Sequence, residues 1–107
     1  MKNQAVAPPL LSESATVEIQ NASKIEGLGQ RVKERVALST LTITTANFRG
    51  TAEFSESVIY DNTRGAKLKT LKYLQDKLDL RVAGSPFPLA TAGKPDFVIV
   101  VAGDLNK

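Results

Sequence analysis

The sequence predicts an α+β fold, a two-layer βαββαβ ferredoxin-like sandwich with two helices on one face of a four- to five-stranded sheet. Three observations predict it. Short stretches at 16–20 and 41–45 alternate polar and apolar residues, the pattern of half-buried strands. Two longer segments carry apolar residues at helical spacing. A run that is apolar at every position, Phe97-Val98-Ile99-Val100-Val101, closes the chain. Taken in order, these give two βαβ-like halves, and right-handed crossovers place both helices on the same side of the sheet. A three-layer fold is the structural alternative.

Residues 1–15, with Pro8-Pro9 and a Ser/Glu mixture, read as a flexible linker or tail, and the domain spans 16–107. Thr16-Val17-Glu18-Ile19-Gln20 is the first strand. Ser23 and Glu26 have the spacing of a capping box, which predicts that a helix starts there. Ile25, Leu28, Val32 and Val36 then share one helical face. Leu41-Thr42-Ile43-Thr44-Thr45 is β-branched and alternating, a second strand. Asn47 to Glu56 reads as a connection that turns at Gly50. Val58-Ile59-Tyr60 makes a third strand, and a second helix follows from about 65 to 80 with Leu68, Leu71, Leu74 and Leu78 as its apolar stripe. Gly84, Pro86, Pro88, Gly93 and Pro95 mark 81–95 as mostly loop, with a short edge strand at 81–83. The segments 17–28 and 58–68 echo one another: strand, Asn-containing turn with a hydroxyl residue, amphipathic helix.

Glu18, Gln20, Thr42 and Thr44 fall on the open face that a two-layer fold exposes. The last strand has no polar side. Its outer face needs a cover, either the tail, the 81–95 loop or a partner.

Composition excludes more than it assigns. The 107 residues contain no cysteine and no histidine. Disulfides, thiolate chemistry, the usual catalytic triads and most zinc sites are therefore ruled out. No stretch approaches the roughly 20 apolar residues needed to span a bilayer. Residues 1–15 include Lys2 but no continuous apolar region, so they do not read as a signal peptide. The net charge is +3. A ferredoxin-like sheet also suits RNA binding, the alternative function together with protein–protein interaction. Tyr60 is the one aromatic near the expected stacking surface, which makes a poor platform and disfavours nucleic acid as a partner.

Several segments, in this order, resemble the C-terminal domain of LytR-CpsA-Psr cell-envelope proteins. They are Thr16–Ser23 with Gly27-Leu28 and Arg31-Val32, then Ala46-Asn47, then Ser57-Val58-Ile59-Tyr60-Asp61, then Pro95–Leu105 ending in Gly103-Asp104-Leu105. Ala22 stands where that family usually has Gly, and Asp61 where a second Tyr is common. The resemblance implies a non-catalytic accessory or binding domain at the extracytoplasmic face of a bacterial membrane or wall. It would be a fragment of a larger, membrane-anchored protein associated with attaching glycopolymers to peptidoglycan. The partners implied are an anionic cell-wall glycopolymer or another envelope protein, with no cofactor.

Candidate sites follow from the residues. Asn21 and Ser23, and Asn62 and Thr63, sit at the expected helix starts, where exposed amides can hold an anion or be capped by the hydroxyl. Asp61, Asp96 and Asp104 lie at strand ends, where a turn role competes with a catalytic one. Arg64, Lys67, Lys69, Lys72, Lys77 and Arg81 make the second helix the most basic region. They are the candidate contacts for an anionic polymer, against the plainer reading of a solvated helix face with a Lys72–Asp76 pair.

Overall fold

The computed structural model describes residues 13–89, 91 and 93–105. Most of the segment expected as a tail lies outside them. The chain forms β1 (Ala15–Asn21), α1 (Leu28–Val36), β2 (Leu41–Asn47), β3 (Val58–Asp61), α2 (Leu68–Leu78), β4 (Arg81–Val82) and β5 (Phe97–Val101), ending in a 3₁₀ turn at Gly103–Leu105. The α+β architecture is as the sequence predicts: one five-stranded sheet with both helices packed into the same core.

The strands lie in the order β2-β1-β5-β3-β4. β1 is parallel to β2 and to β5, β3 is antiparallel to β5, and β4 is parallel to β3. β1 and β2 are thus direct neighbours with no strand between them, as are β3 and β4. The unit β1-α1-β2 is repeated, upside down, by β3-α2-β4 on the other side of β5. The internal echo in the sequence is this repeat.

Alternation along β5 sorts the interior into two parts. Phe97, Ile99 and Val101 point under the helices and meet Leu28, Val32 and Val36 of α1 and Leu74 and Leu78 of α2. Val98 and Val100 point the other way and join Val58 in a second cluster. That outer face is covered by Phe87 and Ala83 from the 81–95 loop, as one of the expected covers, and also by Phe54 and Tyr60. Gly50 permits the two covering loops to meet: a Cβ there would fall 2.5 Å from Phe48 Cζ and 3.0 Å from Leu89 Cδ1. Gln20, expected on an open face, is buried beneath this cover and donates to Glu18 Oε2 at 2.7 Å.

Three local expectations are corrected. The capping box at Ser23 and Glu26 does not open a helix. The Ser23 hydroxyl instead donates to Asn21 Oδ1 and accepts from the Ile25 amide, while Lys24 turns into the left-handed region. The helix begins only at Leu28, behind Gly27 at φ 83°, a conformation glycine adopts without penalty. Gly27 therefore precedes the helix rather than lying inside it, and Gly29 alone packs against β1. The second helix is likewise shorter than expected, and Leu68 is 63% exposed rather than part of the stripe. Thr70 is buried in its stead because Glu13 supplies partners for its amide and hydroxyl. β1 begins at Ala15, and Glu13 and Ser14 already contact α2, so contacts of the domain start just before residue 16.

Candidate functional site

The upside-down repeat separates the candidate residues to opposite ends of the sheet. Asn21 pairs with Val101 at the carboxyl end of β5, whereas Asp61 pairs with Phe97 at its amino end. The two turns share one construction. Asn21 Oδ1 accepts from the amide and hydroxyl of Ser23, and Asp61 Oδ1 accepts from the amide and hydroxyl of Thr63. Each hydroxyl then accepts an amide further on, from Ile25 or Ala66. Asn and Asp at the first position and Ser and Thr at the third suit this because each offers an acceptor two residues from a donor. Ser23 and Thr63 consequently stabilise turns and do not present free hydroxyls at a helix start. Asn62 holds loops together: its Oδ1 accepts the Phe87 amide at 2.9 Å and its Nδ2 donates to the Pro95 carbonyl at 3.1 Å.

The strand-end aspartates are similarly engaged. Asp61 Oδ2 accepts the Gly65 amide at 3.1 Å. Asp104 accepts the Ser57 amide through both oxygens and its hydroxyl at 2.6 Å, and the same hydroxyl accepts the Ala102 amide at 2.8 Å. Asp96 accepts the Thr16 amide at 3.0 Å and the Lys67 ammonium at 2.9 Å. Partial desolvation pushes the Asp96 carboxyl up, but the Thr16 amide and the Lys67 charge outweigh it and hold it below its ordinary value. The three carboxylates lie on separate strand ends, and among the described residues no group of three or more acidic side chains could hold a metal ion.

The basic residues in and around α2 do not form one uncompensated patch. Lys67 is paired with Asp96, Lys72 with Asp76 at 3.4 Å and Arg81 with Glu56 at 2.8 Å. Lys77 lies 5.8 Å from the centroid of the Tyr73 ring. Arg64, with φ 57°, and Lys69 are exposed at the amino-terminal end of the helix, away from Lys77 and Arg81 at the other. The Lys72–Asp76 pair is 78% and 65% exposed, so each partner remains well hydrated.

A candidate concavity lies elsewhere. A cleft of about 680 Å³ opens at the carboxyl ends of β1 and β2, between the turn after β1 and the segment 47–54. Asn21, Lys24, Glu26, Asn47, Phe48 and Phe54 are among its walls. Phe48 and Phe54 meet edge to face with centroids 5.1 Å apart, which sets one rigid apolar wall against amide and charged groups. Ligands of sheets with parallel strands collect outside the carboxyl ends of those strands, where loops diverge. Sequence reasoning placed Asn21 and noted Asn47 but missed Phe48 and Phe54. Two aromatic residues six positions apart in an otherwise polar connection were the available signal.

Comparison with known proteins agrees with the fold. The family model described as LytR cell envelope-related transcriptional attenuator matches residues 14–104. The solution structure of the C-terminal domain of RV0431 is similar in fold, with a TM-score of 0.57 and 21% identity over 96% of this chain and 88% of that one. No curated protein matches.

Proposed function

The chain belongs to the LytR C-terminal family of cell-envelope-related domains, and on that footing we propose that it is a non-catalytic binding module that contacts cell-wall glycan through the cleft between Asn21 and Phe54. The observation that carries this reading is the cleft itself, lined by the Phe48–Phe54 pair and by Asn47 at the carboxyl ends of parallel strands. Its charged walls, Lys24 against Glu26 and Glu53, leave no excess of positive charge. That balance suits a neutral sugar or peptide surface better than a polyphosphate.

A non-catalytic role is supported by how the aspartates are engaged: Asp61 closes its own turn, Asp104 ties Ser57 to the 3₁₀ turn, and Asp96 accepts the Thr16 amide and the Lys67 ammonium. We place the domain on the extracytoplasmic side of the envelope, as part of a protein whose other segments supply anchoring or chemistry. Arg64, Lys69 and Lys72 remain the surface on which an anionic polymer would act, since their charges face water.

Co-sedimentation with purified peptidoglycan sacculi, intact or stripped of anionic polymers, tests the reading. Binding to stripped sacculi that resists salt and falls with Lys24→Glu plus Asn47→Ala supports the cleft. Binding that needs the polymers, weakens with salt and falls with Lys69→Glu plus Lys72→Glu moves the site to α2. No binding to either preparation overturns direct contact with the wall.

A further inference from the structure

The two edges of the sheet are built differently. β4 is two residues long, its Arg81 pairs with Glu56, and Gly84, Pro86 and Pro88 follow it. That edge is blunted in the ways proteins use to prevent strand pairing. β2 at the other edge runs for seven residues, Leu41-Thr42-Ile43-Thr44-Thr45-Ala46-Asn47, without a charge or a proline. Among the described residues no strand pairs on its outer side.

The direction of its free backbone groups follows from its bonds to β1. The Ala15 amide donates to the Thr40 carbonyl at 3.1 Å, and the Phe48 amide donates to the Asn21 carbonyl at 3.0 Å. Even-numbered residues therefore turn their backbone towards β1, and Ile43, Thr45 and Asn47 turn amide and carbonyl away from it. An antiparallel copy of the same strand, centred on Thr44, sets Ile43 opposite Thr45 and Leu41 opposite Asn47 in hydrogen-bonded positions. It also sets Thr44 opposite Thr44 in a non-hydrogen-bonded one. This register uses all seven residues, and no charged side chain of the strand meets another. α1 lies over both β1 and β2, so the two α1 helices come to about 10 Å from each other, an ordinary interhelical distance.

We propose that β2 is a homodimerisation edge, on which a second copy of this chain adds its own β2 antiparallel across a two-fold axis at Thr44. The occupant is a second copy because a strand without a charged residue meets its own copy without repulsion, and because two-fold pairing uses the β2 edge of both copies while the blunted β4 edge ends the sheet, which closes the assembly as a pair rather than a fibre. The proposal goes beyond the glycan-binding reading and is independent of it. A monomer that binds sacculi, or a dimer that does not, separates the two.

The test uses the whole 107-residue chain. Sedimentation equilibrium from micromolar to millimolar concentration is expected to show a concentration-dependent dimer, weakened about tenfold or more by Thr45→Pro. The Thr45 amide faces away from β1, so this proline removes an intermolecular donor without breaking the sheet. Because the chain has no cysteine, Thr44→Cys is a second readout that leaves the backbone unaltered. Facing Cα atoms at roughly 4.5 Å lie within disulfide reach, so Thr44→Cys should oxidise to a linked dimer much faster than Thr42→Cys, which faces Ala46. A monomer throughout, with the two cysteine variants oxidising at equal rates, overturns the proposal. So does concentration-independent protection of the Ile43 and Thr45 amides from hydrogen exchange, which would mean that another part of the same chain covers the edge.

Discussion

The carboxylate of Glu13 accepts hydrogen bonds from both the amide and the hydroxyl of Thr70, each at 2.9 Å, across 57 residues of chain. Helix α2 has no side-chain cap of its own at Lys67. A residue ahead of the first strand thus supplies both the acceptor and the negative charge that a helix amino terminus favours. Glu13→Gln is expected to lower the thermal midpoint near neutral pH, with Glu13→Ala lowering it further. Calorimetry of the two variants checks this, and equal midpoints in all three proteins would contradict it.

The same carboxylate and that of Asp96 make stability depend on acid. Desolvation raises both, but hydrogen bonds from Thr70 at Glu13, and from Thr16 and Lys67 at Asp96, outweigh it and depress both in the folded state. A depressed carboxylate contributes stability that is fully present above its unfolded value of about 4 and is lost as pH falls through the lower folded value. Urea midpoints should therefore hold steady from pH 7 to 5 and fall below about pH 4. Asp96→Asn should be less stable at neutral pH and show a shallower fall. An Asp96→Asn profile parallel to that of the parent would refute the assignment.

Ser57 is 2% exposed and stands between Asp104 and the Ala102 amide. Ser57→Ala strands that amide without an acceptor and should cost about 1–3 kcal/mol in urea unfolding. Asp104→Asn, which keeps an acceptor for the Ser57 amide, should cost less.

The observed face of α2 predicts a contrast between two leucines. Leu74→Ala empties a fully buried position and should cost about 2–5 kcal/mol. Leu68→Ala lies on the exposed side and should change stability by no more than about 0.5 kcal/mol. Similar losses at both positions would restore the stripe expected from sequence.

What the sequence revealed and what it hid divide along the range of the interactions. Strands, helices and the inward face of α1 were legible because Val17, Ile19, Leu28, Val32 and Val36 follow local periods. The start of α2 was not, because it depends on Glu13 and Asp96, remote in sequence from Thr70 and Lys67. Ser23 misled because the same hydroxyl that can cap a helix can close a turn with Asn21, and only the left-handed Gly27 decides between them. The cover over Val98 and Val100 was anticipated in part: the 81–95 loop was named, Phe54 was not. The cleft was invisible as a whole, since its walls come from two connections that meet only once β1 and β2 are paired.

β5 is the axis of the sheet and also its last strand in the chain. β1 and β3 are not paired with each other; within the sheet each is paired to Phe97–Val101. A ribosome that has released everything up to Pro95 has therefore made two βαβ units with no ladder between them and an unfilled gap where the most buried strand belongs. The two halves of the sheet become one only when β5 is in place. Loss of the carboxyl-terminal segment should accordingly be all-or-none in its effect, whereas the early strands alone can hold no part of the finished sheet's centre.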